Sequence, residues 1–502
     1  MSKNLVIVES PAKAKTIEKF LGADYVVKSS IGHIRDMPKK DMGVNIENDF
    51  QPTYAISADK KKVVADLKKS AKTAEKIYLA TDEDREGEAI AWHLQQALSL
   101  AEDTPRIVFH EITKGAITDA ISNPRTINTD LVNAQQARRI IDRLVGFEIS
   151  PVLWRKISGA RSAGKVQSPV VRLVVERERE ISAHKPTSSH KVKATLTNSI
   201  GESLEARLSE DFKSKENAMD FVQSILDSTM KVESVETKPS KRSPKAPFIT
   251  STLQQEASQK LGFSVKQTMS IAQNLYREGV ITYMRTDSLT LSELAITTAQ
   301  EVIVSKFGGD HHHARKYKTN STSAQEAHEA IRPTDLTKPT ILGLDEQSAK
   351  LYSLIYKRTL ASQMSDAKLQ KTKININISN RSERFIAEGE MLTFGGFLEV
   401  YDYMAAEDKL LPKIDKGDAL SLMDLTSKES FSRAKPRYTE ASLVKEIEQM
   451  GIGRPSTFAT MITTVQDRNY VLKDTREGIQ RDYQLIEIVD GVISESIQTE
   501  TT

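Results

Sequence analysis

The sequence predicts a multidomain protein of mixed class, α/β plus α and β, and three observations lead to this prediction. The chain has 502 residues, more than one hydrophobic core usually supports. Strands alternate with helices near the N-terminus, which is typical of a parallel sheet. Further along, two strand-rich blocks enclose a helical one, so we expect a β domain interrupted by an inserted helical domain.

The N-terminal segment carries the signals of the parallel sheet. Residues 4–8, "NLVIV", form a short continuous apolar run, which predicts a strand buried on both faces. Ser10 and Pro11 then supply an N-cap and a first helical position. A second strand-to-helix unit follows in residues 76–100, and "RIVFHEIT", residues 106–113, predicts a third strand.

The rest of the chain divides into helical and strand-rich parts. Residues from about 128 to 181 have a helical pattern, and "KVKATLTNS" and "TMKVESVET" then alternate like strands. The Pro/Lys stretch 238–248 is interpreted as a linker, followed by helical segments and by further strands. The predicted division is 1–127 for the sheet domain, 128–184 with 440–502 for a helical domain, 185–242 with 370–439 for a β-rich domain, and 243–369 for the inserted helical domain.

Composition limits the class of protein. The chain contains no cysteine, which excludes disulfides and cysteine-ligated zinc. No run approaches the ~20 apolar residues of a membrane span, and the N-terminus lacks a signal peptide's apolar region, so we expect a cytoplasmic protein without a membrane partner. Net charge is only +3, but residues 138–172 carry eight Lys or Arg against two Asp or Glu. Such segments neutralise phosphates; a solvated helix face is the alternative.

The stretch "ATDEDREGEA", residues 80–89, crowds acidic side chains together. Asp82, Asp84 and Glu86 do not share one face of an ideal helix, but they do where a strand end runs into a helix. Hard oxygen ligands this close suit Mg²⁺; an acid-rich first helical turn that favours the helix dipole is the alternative. Glu9 follows another predicted strand at the same sheet edge, where it either binds metal or acts as a general acid.

A second motif supplies a candidate nucleophile. In "GVITYMRTDS", residues 279–288, an extended backbone would place Tyr283, Arg285 and Asp287 on one face. A phenol with pKa ~10 is a poor nucleophile until a cation stabilises its anion, and taken alone such a tyrosine is usually core packing. Beside a carboxylate metal site, however, it indicates cleavage and resealing of a phosphodiester through a covalent phosphotyrosine.

Other polar and basic segments fit a groove that binds a nucleic-acid strand. Cations and hydroxyls contact phosphates, glycines permit close backbone approach, and aromatic rings stack on bases. The candidates are Lys13 one turn after Glu9, Arg138, Arg139 and Asp142 in "QQARRIIDR", Phe147 and Trp154 beyond it, Gly164, Lys165 and Gln167 in "SAGKVQS", and Arg454, Ser456 and Thr457 in "GIGRPST".

Taken in order, these motifs resemble those of the bacterial DNA topoisomerase I family, the type IA topoisomerases. The resemblance covers nearly the whole chain. Several Toprim-containing families share only the Glu and the Asp-x-Asp-x-Glu motif, so the tyrosine motif separates this chain from primases and related nucleases. The motifs are "LVIVESPAKAKTI", "SSIGHIRDMP", "LATDEDREGEAIAWHL", "QQARRIIDRLVGF", "SAGKVQSPVVRLVVEREREI", "APFITSTLQQEAS", "GVITYMRTDS", "QEAHEAIRPTD" and "EASLVKEIEQMGIGRPST".

The resemblance implies a fold and an activity. The fold would be a Toprim parallel-sheet domain, helical winged-helix-like domains, one of them carrying the tyrosine, and a β-rich arch, together forming a toroid around DNA. The activity would be Mg²⁺-dependent relaxation of negatively supercoiled DNA by a monomer in the nucleoid, without ATP. In agreement with the last point, the sequence contains no Walker A motif.

The resemblance also implies roles for individual residues. Tyr283 would attack one strand to give a 5′-phosphotyrosine, and Glu9 would protonate the leaving 3′-oxygen. Lys13 and Arg285 would stabilise the charge at phosphorus, while Asp82, Asp84 and Glu86 with Glu9 would hold Mg²⁺. Asp287 and His328 would lie beside the tyrosine. The implied DNA contacts are His33, Arg138, Arg139, Asp142, Phe147, Trp154, the loop Ser162, Ala163, Gly164, Lys165, Val166 and Gln167, then Arg285, Arg454, Ser456 and Thr457.

The chain departs from the family at its end. The family usually continues past the "GRPST" helix, so we expect the helical DNA-binding domain to be C-terminally incomplete. Two alternatives follow: a topoisomerase III-like decatenase, and a DNA-binding fragment that does not complete turnover.

Overall fold

The computed structural model describes residues 3–38, 40–159, 162–164, 167–318, 329–402 and 410–502. Within these ranges no helix has the length and apolar character needed to cross a membrane. For the description below, residues 3–127 are called the N-terminal unit and the described residues of 243–369 the tyrosine unit.

The N-terminal unit is built on a three-stranded parallel sheet with β1 in the centre, in the order β2-β1-β7. The predicted third strand at 106–113 is reduced to a single parallel bridge between Leu79 and Arg106. The reason is that the next backbone groups bond elsewhere, since the His110 carbonyl accepts the Tyr283 N–H at 2.9 Å. The elements are β1 (Asn4–Val8), α1 (Pro11–Leu21), β2 (Tyr25–Ser29), β3 (Arg35–Asp36), β4 (Val44–Asn45), β5 (Gln51–Pro52), β6 (Ala55–Ile56), α2 (Lys61–Thr73), β7 (Ile77–Leu79), α3 (Arg85–Leu98) and α4 (Lys114–Ser122).

Helices from two distant parts of the chain share one apolar cluster. Val170 and Leu173 of α6 pack with Val444 of α12 and with Phe458 and Met461 of α13. These helices are α6 (Gln167–Ala183), α12 (Glu440–Gln449) and α13 (Phe458–Asp467), and α5 (Thr129–Lys156) precedes α6 in the chain.

The β-rich part is an eight-stranded antiparallel sheet in the order β10-β11-β12-β9-β8-β13-β14-β15. Its strands alternate buried and exposed residues, and the buried face packs on α7, whose Phe221 and Val222 are fully buried. A short extra pairing of β10 with β13 at Met230 and Lys231 curves the sheet back on itself. The elements are β8 (Ser188–Thr197), β9 (Ser203–Leu208), α7 (Lys215–Ile225), β10 (Met230–Arg242), β11 (Ala367–Ile378), β12 (Arg384–Phe394), β13 (Ala419–Phe431), β14 (Gln480–Val489) and β15 (Val492–Thr501).

The sheet differs from the sequence prediction at two places. The interpretation of 238–248 as a linker is wrong for its first part, because β10 continues to Arg242 in register with β11. The prediction that 440–502 is helical is wrong beyond α13, because β14 and β15 add a hairpin to the sheet. Asp490 and Gly491 both have positive φ, 51° and 75°, which is the backbone of a two-residue hairpin turn.

The tyrosine unit packs directly on the N-terminal unit. One apolar cluster contains Val6 and Val8 of β1, Phe109, and Ile281 and Tyr283 of the tyrosine unit. A shared core of this kind fixes the tyrosine segment against the carboxyl end of the parallel sheet. The helices of the tyrosine unit are α8 (Thr250–Leu261), α9 (Val265–Arg277), α10 (Glu293–Phe307) and α11 (Glu346–Ser362).

Candidate active site

The acidic motif forms a tight loop between β7 and α3. Asp84 is the N-cap of α3, and its carboxylate accepts the Gly87 N–H at 2.7 Å. A Cβ at Gly87 would lie 2.0 Å from the Asp82 carbonyl oxygen, so only glycine fits there. The motif therefore turns sharply and leaves Asp82, Asp84 and Glu86 at the carboxyl end of the sheet.

A buried arginine supports this loop from below. Arg106 is fully buried, and its guanidinium donates to the carbonyl oxygens of Thr81 and Asp82, each at 2.8 Å. Its Nε lies 3.3 Å from Glu88, which also binds Arg125. The sequence interpretation missed Arg106; the available signal was a charged residue at the start of an otherwise apolar run.

Glu9 and Lys13 lie at the end of β1 and in the first turn of α1. The Lys13 ammonium is 2.7 Å from Glu9 Oε1 and 2.5 Å from Asp82 Oδ1, and the side chain is 1% exposed. Its Nζ also lies 5.2 Å from the centre of the Phe109 ring and 5.4 Å from that of Tyr276. Lys13 is thus held between two carboxylates and two aromatic rings.

In this arrangement the pKa values of Glu9 and Lys13 are raised, and the pKa of Asp82 is lowered. Burial and the charge of Asp82, opposed by Lys13, raise the pKa of Glu9 to about 7. Burial alone would lower the pKa of Lys13, but Asp82 and Glu9 outweigh it and the pKa is raised. Burial opposes ionisation of Asp82 as well, yet Lys13 and Arg285 hold its pKa below the usual value. Glu9 is therefore the group able to exchange a proton near neutral pH.

Tyr283 meets the acidic loop across the boundary between the two units. Its hydroxyl donates to Asp84 Oδ2 at 2.6 Å, although the two residues are 199 positions apart. Burial, followed by the charges of Asp84 and Asp82, raises the pKa of Tyr283 well above 10, and Arg285 opposes this shift without overcoming it. The predicted activation by a cation is therefore outweighed in this closed arrangement, and the phenol is held neutral.

A second tyrosine lies in the same site. The Tyr276 hydroxyl donates to Asp82 Oδ1 at 3.3 Å, and its ring stands edge-on to that of Tyr283 with 5.2 Å between centroids. Tyr276 is fully buried at the end of α9. The sequence interpretation missed it because an aromatic residue on the apolar face of a helix has the same pattern as ordinary core packing.

Close backbone approach joins the two units around the tyrosine. Gly279 has φ +75°, and a Cβ there would lie 2.5 Å from the Ile112 carbonyl oxygen. Arg332 of the tyrosine unit donates to Glu111 at 2.9 Å, and Thr16 donates to the Arg277 carbonyl oxygen at 3.0 Å. These contacts close the site in the present arrangement.

Glu86 contacts α5 and the loop after β2. Gln135 donates to Glu86 Oε2 at 3.0 Å, and His33 Nε2 lies 3.5 Å from the same oxygen. Burial opposes its ionisation, but hydrogen bonds from His33 and Gln135 and the charge of Arg138 lower the pKa of Glu86 to about 2. Gln135 is a further contact that the sequence interpretation missed.

The donor set suits a hard cation by its chemistry. Four carboxylates lie at one sheet edge, and the buried Oε2 of Glu9 has no hydrogen-bond partner. They do not yet converge, because Lys13 lies between Glu9 and Asp82 and Tyr283 holds Asp84. In agreement with this, no group of three or more metal-ligating side chains converges among the residues that the structure describes.

The cleft beside Tyr283 collects several of the predicted DNA contacts. Its walls include four arginines and one hydroxyl from four parts of the chain, which fit phosphate oxygens. The cleft-lining residues are Asp84, Arg85, Glu86, Arg138, Arg285, Asp287, Arg454, Pro455 and Ser456.

Helix α5 carries the predicted aromatic and basic contacts along its exposed side. Phe147 is 36% exposed and Trp154 58%, so both rings are accessible for stacking. Arg139 pairs with Asp36, and Asp142 is also exposed on this helix. None of these four side chains is among the residues that line the cleft.

The predicted loop 162–167 is partly engaged in internal contacts. Ser162 accepts from Arg468, and its carbonyl oxygen accepts from Gln167 at 2.7 Å. The Ala163 N–H donates to Ser150 at 3.1 Å, and the Gly164 carbonyl oxygen accepts the Ser168 N–H at 3.1 Å.

Four further candidates complete the comparison. Thr457 is 8% exposed and closes the turn before α13 by donating to the Arg454 carbonyl oxygen at 3.0 Å. Lys165, Val166 and His328 lie outside the described residues.

The fold and the site together define a class of protein: a Toprim parallel-sheet unit whose acidic loop contacts a tyrosine from a separate helical unit. The Toprim family model matches residues 4–112, and the DNA topoisomerase family model matches residues 126–502. The chain belongs to the bacterial DNA topoisomerase family, and the predicted multidomain fold class is confirmed.

Named relatives agree with this membership. DNA topoisomerase 1 of Streptomyces coelicolor is 46% identical over 94% of this chain. The match covers 56% of the length of that relative. The Campylobacter jejuni protein of the same name is 44% identical over 100% of this chain and 74% of its own. Full-length topoisomerase I from Thermotoga maritima superimposes with a TM-score of 0.84 and 40% identity, covering 94% of this chain and 79% of that chain.

Proposed function

We propose that this chain cleaves and reseals one strand of DNA as a type IA topoisomerase, and thereby relaxes negatively supercoiled DNA without ATP. The carrying observation is the 2.6 Å hydrogen bond from the Tyr283 hydroxyl to Asp84, which joins a nucleophile to an acidic Toprim loop. The cleft beside it is lined by Arg138, Arg285 and Arg454, which suits a polyanionic strand.

In the proposed cleavage step, a phosphodiester enters the cleft and takes the place of Asp84 beside the phenol. The Tyr283 oxygen bonds to phosphorus and the bond from phosphorus to the 3′-oxygen breaks, leaving a 5′-phosphotyrosine. Asp84 accepts the phenol hydrogen bond until the phosphodiester replaces it, and we propose that it takes the phenol proton as it is displaced. Arg285 and Lys13 offset the charge that develops on the phosphoryl oxygens.

Glu9 is proposed to supply the proton for the leaving oxygen. Its pKa of about 7 keeps a large neutral fraction at physiological pH, so it donates during cleavage and accepts the proton back during resealing. The unpartnered Oε2 of Glu9 gives the carboxyl a free position for this exchange.

The proposed cofactor is Mg²⁺, which Asp82, Asp84 and Glu86 would hold once their present hydrogen bonds are exchanged for it, with Glu9 as a further oxygen donor. A divalent ion there would offset the acidic cluster and help to position phosphate oxygens for resealing. We further propose that the protein acts as a monomer on single-stranded segments of cytoplasmic, nucleoid-associated DNA.

The test is to trap and map the covalent complex. A single-stranded oligonucleotide labelled at one end is incubated with the chain, the reaction is stopped with denaturant, and the modified peptide is sequenced. We expect the adduct on Tyr283 through a 5′-phosphate, and Mg²⁺-dependent plasmid relaxation that Tyr283→Phe abolishes. A gel shift without any adduct or relaxation supports the DNA-binding fragment instead, and an adduct in Tyr283→Phe contradicts the choice of nucleophile.

A further inference from the structure

A group of cations gathers on one face of the eight-stranded sheet, outside the unit that carries Tyr283. Lys191 and Lys193 lie on β8, Lys428 on β13, Arg433 just after β13 and Arg481 on β14; together they are called the basic face. All five line one groove on this part of the sheet. None of them belongs to the cleft beside Tyr283.

Strand register places these cations on the side opposite α7. Val192 and Ala194 alternate with the two lysines of β8 and are buried against the α7 side. Lys191 lies directly opposite Lys428 in the β8–β13 ladder. Like charges in direct opposition destabilise an antiparallel pair, and an anion bound beside them would offset this repulsion.

The sheet itself neutralises little of this charge. Glu500 is the one carboxylate that lines the groove, and it pairs with Lys428 at 2.6 Å. For Lys191, Lys193, Arg433 and Arg481 no ion pair is found among the described residues. On β10 and β11 of the same sheet, Lys238 pairs with Glu236 at 2.7 Å and Lys371 with Glu390 at 3.6 Å.

Two aromatic rings lie among the cations. The Lys428 ammonium is 4.2 Å from the centre of the Tyr483 ring, and the Arg481 guanidinium is 4.7 Å from that of Phe431. Rings interleaved with cations are the combination that binds a nucleic-acid strand without regard to sequence, because phosphates pair with the cations and bases stack on the rings.

We propose that the basic face binds the phosphate backbone of a DNA segment other than the strand held at Tyr283. The inference rests on the proposed function only in taking DNA as the polyanion. Since the face belongs to the β-rich sheet, its contribution is to total DNA affinity and to the salt dependence of that affinity, and the chemistry at Tyr283 proceeds without it.

The test compares two charge-neutralised variants in a Tyr283→Phe background, which prevents cleavage. The basic-face variant is Lys191→Gln, Lys193→Gln, Arg481→Gln; the matched control is Lys238→Gln, Lys371→Gln, Lys373→Gln on β10 and β11 of the same sheet. Binding of a fluorescent oligonucleotide long enough to span both sites is measured by anisotropy over a range of salt. Arg433→Gln, at an exposed position, is a second variant should the triple fold poorly.

We expect the basic-face variant to bind about tenfold more weakly at low salt and to lower the salt slope by about 2, at ~0.7 per phosphate contact. The control should stay within about twofold of the parent. Unchanged binding by the basic-face variant, or an equal loss in both variants, overturns the proposal.

A cleavage measurement separates this proposal from the proposed function. In the background with Tyr283 intact, the basic-face variant should form as much covalent adduct as the parent on an oligonucleotide of about 12 nucleotides, which covers only the cleft. A parallel loss of adduct would show that the face acts through the active site and would overturn the separate-segment claim. Absence of adduct in the parent would contradict the proposed function while the binding comparison still decides the basic face.

Discussion

Tyr283 and Tyr401 are both buried, and each donates to a carboxylate near an arginine. Tyr283 donates to Asp84, whose carboxylate lines the cleft together with Arg285. Tyr401 donates to Glu256, which Arg358 also binds at 2.7 Å. The residue types match, and both phenols have pKa values raised mainly by burial.

The difference lies in what surrounds each carboxylate. Glu256 is surrounded by cations: Arg358, Lys245 at 3.1 Å and Lys260 at 3.2 Å. Despite burial, Arg358, Tyr401 and Lys260 lower the pKa of Glu256 to about 2, so these side chains form a closed ion cluster. Asp84 and Tyr283 come from two units and meet at a cleft, so a phosphate is able to replace one partner. The same chemistry stabilises a core in one place and presents a nucleophile in the other.

The largest expected effect is on the covalent DNA adduct, which should depend on Tyr283 and not on Tyr401. Tyr283→Phe should reduce the covalent DNA adduct below detection, because it removes the proposed nucleophile, and should cost less stability than Tyr401→Phe, because Asp84 is less buried than Glu256. Tyr401→Phe should retain the adduct and lower the free energy of unfolding by about 1–3 kcal/mol, because Glu256 loses a buried donor. Denaturant trapping and urea unfolding measure the two quantities. Loss of adduct in Tyr401→Phe at full stability would contradict the comparison.

The next largest effect is expected on the pH dependence of cleavage, because the pKa of Glu9 is raised to about 7. If its neutral form protonates the leaving oxygen, cleavage without divalent ion should be constant below pH ~7 and fall about tenfold per unit above it. Glu9→Gln should slow cleavage about 100-fold and flatten this profile. The measurement is single-turnover cleavage of an oligonucleotide between pH 5 and 9; an unchanged profile in Glu9→Gln would remove the assignment.

The raised pKa of Glu9 also predicts a direction for stability. Folding favours the neutral carboxyl, so the contribution of Glu9 is complete below its ordinary value of 4.5 and is lost as pH rises through about 7. At pH 8 Glu9→Gln should therefore unfold at higher urea than the parent, while near pH 4 the two should coincide.

The two arginines give a smaller, matched pair of effects. Arg285→Ala should lower the cleavage rate about 100-fold, as expected for the loss of one charged donor to a transition state, with oligonucleotide binding partly retained. Arg358→Met should leave cleavage intact but cost about 3–5 kcal/mol of stability, because Glu256 would lose its closest cation inside a core. Cleavage rates and unfolding midpoints measured on both variants test the distinction; unchanged cleavage in Arg285→Ala would contradict its role.

The sequence predicts those parts of the site whose residues are close together in the chain. Asp82, Asp84 and Glu86 are crowded between a strand and a helix, and Tyr283, Arg285 and Asp287 follow one another in a short segment, so each group is visible by itself. The contact between the groups is not local, since it depends on the shared core of the two units and on the close approach at Gly279. Only the family resemblance supplies that step from sequence.

Residues that hold other groups of the site in place were harder to predict. Tyr276 and Arg106 have the patterns of core residues until the fold shows what their polar atoms reach. Lys13 was expected to reach a phosphate, but in the closed site it is held between Glu9 and Asp82. By contrast, the hairpin of β14 and β15 has a local sequence signal, the Asp490–Gly491 pair. The signal was missed because the segment was interpreted from its composition and charge.

The smallest expected effect is on the cleavage rate and concerns Tyr276, the second tyrosine of the site. Tyr276→Phe keeps the ring over Lys13 and removes only the hydroxyl that donates to Asp82 Oδ1. Without this second donor Asp82 should hold the ammonium more tightly, so Lys13 becomes less available to a phosphate and cleavage slows about fivefold, within the range of one hydrogen bond to a charged group. Tyr352→Phe is the control, because its hydroxyl donates to the Lys338 carbonyl oxygen at 2.7 Å in the same unit. In a Lys13→Ala background the effect of Tyr276→Phe should vanish; if the two losses multiply instead, Tyr276 does not act through Lys13.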